Sequence, residues 1–160
     1  MKWNIVIGGL ALLAGFLFYA MFRWKSPLLV QDIVGNRLYI GAYVPVSWRP
    51  VLDSLPTALH VFAFSLLTIG IVGLPGFWPR FGFTAAWVGI NLLFELVQAV
   101  NHAAFGRVMA RLSMGGGLLQ QFVTDGVFDM KDITGAVIGG LLAMLVSSVT
   151  TSKEEFDGKK

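Results

Sequence analysis

The chain has 160 residues, 56% of them hydrophobic and only 13% charged, with a mean hydropathy of +0.72. Charge at roughly half the level of a soluble domain excludes a water-soluble globular fold and predicts an integral membrane protein. The net charge of +3 and pI of about 9.5 do not indicate nucleic acid, because Lys and Arg stand at the edges of apolar blocks and in the tails. The absence of cysteine removes disulfides and thiolate metal sites.

Residues 3–22, WNIVIGGLALLAGFLFYAMF, contain no charge and are long enough to cross the hydrocarbon. A cleaved leader would have a shorter apolar core and a small-x-small site after it. FYAMFRWK offers no such site, so the segment is read as a retained first span. The following connection holds Arg23, Lys25, Arg37 and Arg49 among prolines and aromatics. It is too polar to cross and too apolar to be a free linker. The expectation is that it lies on the membrane surface, with Tyr39, Tyr43 and Trp48 at headgroup level.

A second span is predicted over about 56–74. The connection PGFWPR is short and rich in Pro and Gly, which makes spans two and three antiparallel neighbours. Span three covers about 81–101. Beyond it, FGRVMARLSM has the pattern of an amphipathic surface helix ended by Gly115–Gly117. Span four covers about 132–149, and 153–160 form a polar, frayed tail. No internal repeat is present. The predicted fold is an all-α integral membrane bundle of four transmembrane helices, one domain over 1–152.

Four spans leave both termini on one side. That side collects Lys2, Arg80, Lys153, Lys159 and Lys160; the other collects Arg23, Lys25, Arg37, Arg49, Arg107, Arg111 and Lys131. The positive-inside rule therefore leans slightly towards termini outside, an argument that long loops weaken.

Span three is not uniformly apolar. Asn91, Glu95, Gln98 and His102 follow the i, i+4, i+7, i+11 spacing of one helical face, and Thr84 falls on the same stripe. Such a stripe cannot face acyl chains, since a charged group at mid-bilayer costs about 2.5–3.5 kcal/mol. Antiparallel connectivity brings partners to its level: His60 from span two, with Asp53 and Thr57 on its side if that helix extends backwards, and Asp129 and Asp132 where span four begins. Each residue also has a structural role open to it. Glu95 could be a hydrogen-bonded anchor, although intramembrane acids are functional by default. Asn91 and Gln98 suit interhelical hydrogen bonds. His60 fits core packing as well as a site, and His102 fits the interface. Asp129 or Asp132 could cap span four. Gly135 and Gly139 have the small-xxx-small spacing of close helix packing.

No strong metal signature, phosphate loop or nucleophile elbow is present, so no metal or cofactor is assigned. Glu95 and His60 are the candidate catalytic pair if burial raises the carboxyl pKa.

The histidine and aromatics of LPTALHVFAFSLL, the FELVQ that ends the next span, and FDMKDITGAVIGG opening the last together resemble the VanZ-like family. These are small membrane proteins named for a component of glycopeptide-antibiotic resistance clusters. The resemblance covers about Leu52 to Leu145. His60 matches the family histidine, Glu95 and Gln98 its Glu-x-x-Gln pair, Asp129 and Asp132 its aspartates, and Gly139 its glycine. Pro56 and Thr57 stand where the family has Asp-Lys, Gly126 replaces its Arg, Ala136 its Asn, and Val61 follows the histidine directly.

The resemblance implies a multi-pass protein of the bacterial cytoplasmic membrane, with the polar cluster at the outer face and both termini inside. It also implies a link to resistance against teicoplanin-type lipoglycopeptides. The expected site is His60, Glu95, Gln98, Asp129 and Asp132, binding an amphiphilic or lipid-linked ligand, with its modification left open. Membrane lipids surround the protein in either reading. A second hypothesis is a non-catalytic accessory subunit of a larger membrane complex, docking through the aromatic loop 23–53 and the Gly115–Gly117 segment. A proton or ion path along the stripe is weaker, because the polar residues of span four stop at its first turn.

Overall fold

The computed structural model describes residues 2–22, 43–99 and 128–157. Among them are four α-helices and no strand: α1 (Lys2–Phe22), α2 (Arg49–Val72), α3 (Phe77–Ala99) and α4 (Met130–Asp157). A 3-10 turn, Val46–Trp48, leads into α2. Three segments are long and apolar enough to cross a membrane: Val46–Val72, Phe77–Val97 and Met130–Thr151. α1 contributes the apolar stretch Lys2–Phe18. The architecture is an all-α integral membrane bundle.

The helices start and stop at places that composition alone does not mark. α2 begins at Arg49, ahead of Pro56, and carries that proline inside it. The ring removes one N–H from the ladder, which a packed membrane helix tolerates because its neighbours re-satisfy the freed groups. Pro56 is fully buried. α2 closes on Gly73 in the left-handed region (φ 72°, ψ 39°), whose N–H reaches Ile69 O at 3.2 Å, with Leu74 N–H on the same carbonyl at 3.3 Å. α3 begins at Phe77 rather than 81, since Pro79 falls in the first turn where its missing N–H has no helical partner to lose. α4 continues past 149 to Asp157, so the predicted frayed tail is helical over most of its length. Glu and Lys there are good helix formers.

α2 is the central helix and packs against the other three. Its crossing with α4 is close because glycine faces backbone. A Cβ at Gly135 would lie 2.7 Å from Ser54 O, and one at Gly139 would collide with Ala58 O. The contacts Gly135–Ser54 and Gly139–Ala58 advance together, so α2 and α4 run parallel. α1 lies antiparallel to α2, with Ile5 against Gly70 and Gly15 against Leu59. α3 runs antiparallel to both α2 and α4, with Thr84 and Val88 against Gly140. Val61, Ala63, Leu66, Ile69, Ala136 and Ala143 form the dry core. Leu10, Leu13, Leu93, Leu96, Leu141 and Leu145 are exposed, as expected of helices whose outer surface is solvated by lipid tails.

Candidate functional site

This connectivity gathers the start of α2, the end of α3 and the start of α4 at one end of the bundle. Asp129 precedes α4 as its N-cap. Its Oδ1 accepts the Lys131 N–H at 2.9 Å and its backbone carbonyl accepts the Asp132 N–H at 3.0 Å. In a complete capping box the third helical residue would reach back to the N-cap N–H. Here Glu95 of α3 takes that place, its Oε2 accepting the Asp129 N–H at 3.1 Å. Asp132, the third residue of α4, is turned the other way. Its Oδ1 accepts the Thr57 hydroxyl of α2 at 2.8 Å. Glu95 and Asp132 are both buried, and each fastens α4 to a different helix. The Lys131–Asp129 ion pair (3.8 Å) is half exposed and contributes little.

His60 lies one turn inward from Pro56 on α2. Its Nδ1 is 3.0 Å from the Pro56 carbonyl oxygen. A carbonyl only accepts, so this contact assigns the proton to Nδ1, and in the neutral ring Nε2 is the basic nitrogen. The ring stacks on Phe64 (centroids 5.8 Å apart), Phe64 stacks on Trp87 (4.9 Å), and Trp87 Nε1–H donates to Thr68 Oγ1 at 3.0 Å. This ladder ties α2 to α3 and holds the imidazole plane.

The described members of the polar stripe, Thr84, Asn91 and Glu95, face inward. Thr84 and Glu95 are buried, Asn91 is half-buried, and Leu93 and Leu96 look outward. Asn91 spends its amide on its own helix, donating to Trp87 O at 3.0 Å. The structure therefore brings Glu95 to Asp129 and Thr57 to Asp132, and places His60 on the same end of α2. Asp53 is exposed on α2. Gln98 belongs to α3 at this end, with its side chain outside the described residues. His102, Arg107, Tyr39 and Gly115–Gly117 also lie outside them. Among the described residues no three His, Asp or Glu converge as a metal site. Buried carboxylates at the end of the bundle that also carries an imidazole can accept hydrogen bonds from a headgroup or attract a cation, and the imidazole can exchange a proton.

A second polar cluster, at the opposite end, was not foreseen. Thr150 Oγ1 lies 2.6 Å from Asn4 Oδ1, while Arg80 donates from Nε to Leu74 O at 3.0 Å and from Nη1 to Ser147 O at 3.4 Å. Asn4, Arg80 and Ser147 are buried. Asn4 Nδ2 has no partner among the described residues, and Thr150 has Val146 O (3.0 Å) and Ser147 O (3.1 Å) as further acceptors for one hydroxyl proton. Sequence spacing carries little signal for this cluster, because Asn4 and Arg80 come singly from α1 and α3 and only Ser147 and Thr150 share a helix. The sequence places Arg80 in the connection PGFWPR, whereas the structure places it in the first turn of α3.

No protein-family model, curated protein or solved structure matches the chain. The fold and the cluster define a class: an all-helical membrane protein with buried carboxylates joining three helices near one end.

Proposed function

We propose that the chain is a VanZ-like protein of the bacterial cytoplasmic membrane whose acidic cluster binds the polar part of an amphiphilic or lipid-linked ligand. The observation that carries this reading is the Glu95 carboxylate, buried between helices and bonded to the N-cap of α4. A plain packing position near a helix end needs no carboxylate there, and intramembrane acids are retained where they do work. In this reading Glu95 is the central acid and His60, with its tautomer set by Pro56, is the group able to exchange a proton. Gln98 orients the ligand, and Asp129 and Asp132 hold the mouth of the site in place.

The test is expression of the full chain in a glycopeptide-susceptible bacterium, scored by teicoplanin susceptibility. Glu95→Gln and His60→Ala are compared at matched membrane levels. The expected result is reduced susceptibility with the wild type and its loss in both variants. A wild-type protein that leaves susceptibility unchanged, and co-migrates with large partners in mild detergent, would overturn this reading in favour of the accessory subunit.

A further inference from the structure

The turn between α2 and α3, at the end opposite the acidic cluster, has a charge imbalance that the bundle itself does not correct. Arg80 is only 7% exposed. Two of its guanidinium nitrogens are held by backbone carbonyls of Leu74 and Ser147. Its third, Nη2, has no partner among the described residues and is not enclosed. No carboxylate pairs with this cation among the described residues. A buried charge without a counter-ion is strongly unfavourable.

Helix ends do not compensate it. The C-terminus of α2 offers about half a negative elementary charge, but the N-terminus of α3 adds about half a positive one beside it. Arg80 stands within that first turn, which contains no acidic residue. The N–H groups of Phe77 and Trp78 have no helical acceptor there, and no side chain caps them among the described residues. The depth is marked too. Phe77, Trp78 and Phe81 pack on one another and are 54%, 75% and 48% exposed. An exposed aromatic cluster at a helix start belongs at headgroup level.

A fixed guanidinium, open helix N–H groups and an interfacial belt together form a receptor for a phosphate-type anion. We propose that the α2–α3 turn binds the phosphate of an anionic phospholipid in the leaflet opposite the acidic cluster. Arg80 Nη2 and the first turn of α3 hold the phosphate, and the aromatic cluster packs on the chains below. The site is independent of the function proposed above.

The test is lipid retention by the purified full chain in native mass spectrometry, with thermal unfolding in parallel. The probes are dioleoylphosphatidylglycerol, dioleoylphosphatidylcholine and inorganic phosphate. Arg80→Gln also removes the bonds to Leu74 and Ser147, so loss of folding there would decide nothing about lipid. Trp78→Glu is the informative variant: its carboxylate in the first turn favours the helix and supplies the missing anion in cis. Wild type and Trp78→Gln should prefer phosphatidylglycerol over phosphatidylcholine by about tenfold, because the two share the phosphate but the choline ammonium adds a positive charge that the guanidinium repels. Trp78→Glu should lose that preference. Equal retention of the two lipids by wild type, or an undiminished preference in Trp78→Glu, would overturn the proposal. So would loss of the preference in Trp78→Gln, which would assign it to the indole. Stabilisation by inorganic phosphate matching that by phosphatidylglycerol would reassign the site to a soluble anion.

Discussion

Glu95 accepts the Asp129 backbone N–H at 3.1 Å across 34 positions of sequence, completing from α3 a cap that helices normally complete from within. One carboxylate thereby has two separable properties, an acceptor atom and a charge. Glu95→Gln keeps the acceptor and should lower stability by at most about 1 kcal/mol, the difference between a charged and a neutral hydrogen bond. Glu95→Leu leaves the Asp129 N–H without a partner and should remove about 1–3 kcal/mol. Thermal unfolding in detergent separates the two; equal losses would mean that the acceptor is not what holds the start of α4.

Asp129 is the cap itself. Asp129→Ala should destabilise by about 0.5–2 kcal/mol, and Asp129→Ser should recover most of that because a hydroxyl also accepts from the Lys131 N–H. Hydrogen exchange at the first turn of α4 is the direct readout. Unchanged protection in Asp129→Ala would contradict the capping assignment.

The Thr57–Asp132 bond at 2.8 Å joins α2 to α4. Thr57→Val removes a donor to a buried carboxylate and should lower stability by about 1.5–3 kcal/mol. Asp132→Leu combined with Thr57→Val should lose less than the sum of the single changes, because neither member of that bond is then left facing an absent partner. Strict additivity in a double-mutant cycle would show that the two groups do not act together.

Glycines in this bundle are not equivalent. A Cβ at Gly139 meets the Ala58 carbonyl, whereas one at Gly89 meets nothing. Gly139→Ala should therefore force α2 and α4 apart and destabilise by about 1–3 kcal/mol. Gly89→Ala should be neutral or stabilising by up to about 1 kcal/mol through helix propensity. Comparison of unfolding midpoints checks the pair, and a loss in Gly89→Ala as large as in Gly139→Ala would refute the packing argument.

The inward stripe was legible because helical geometry is local: residues at i, i+4, i+7 and i+11 share a face wherever the helix is placed. The gathering of Thr57, His60, Glu95, Asp129 and Asp132 at one end followed from antiparallel connectivity. Helix bounds were less legible. Pro56 read as a start yet lies inside α2, and Pro79 read as a break yet lies in the first turn of α3, since proline's effect depends on whether its missing N–H had a partner. The cluster of Asn4, Arg80, Ser147 and Thr150 was not legible, because three separate helices supply it and only Ser147 and Thr150 share a face.

Sequence by itself determined the solvent of this protein and the facing of each helix, because hydrophobicity and period are properties of a single segment. Tertiary structure decided which helix completes the cap of α4, that Asp132 turns to Thr57 rather than to its own N-terminus, and that Arg80 is held inside the bundle. Those outcomes depend on the distance and rotation between helices. These are set by the close α2–α4 crossing at Gly135 and Gly139 and by packing around a central α2, which no single segment encodes.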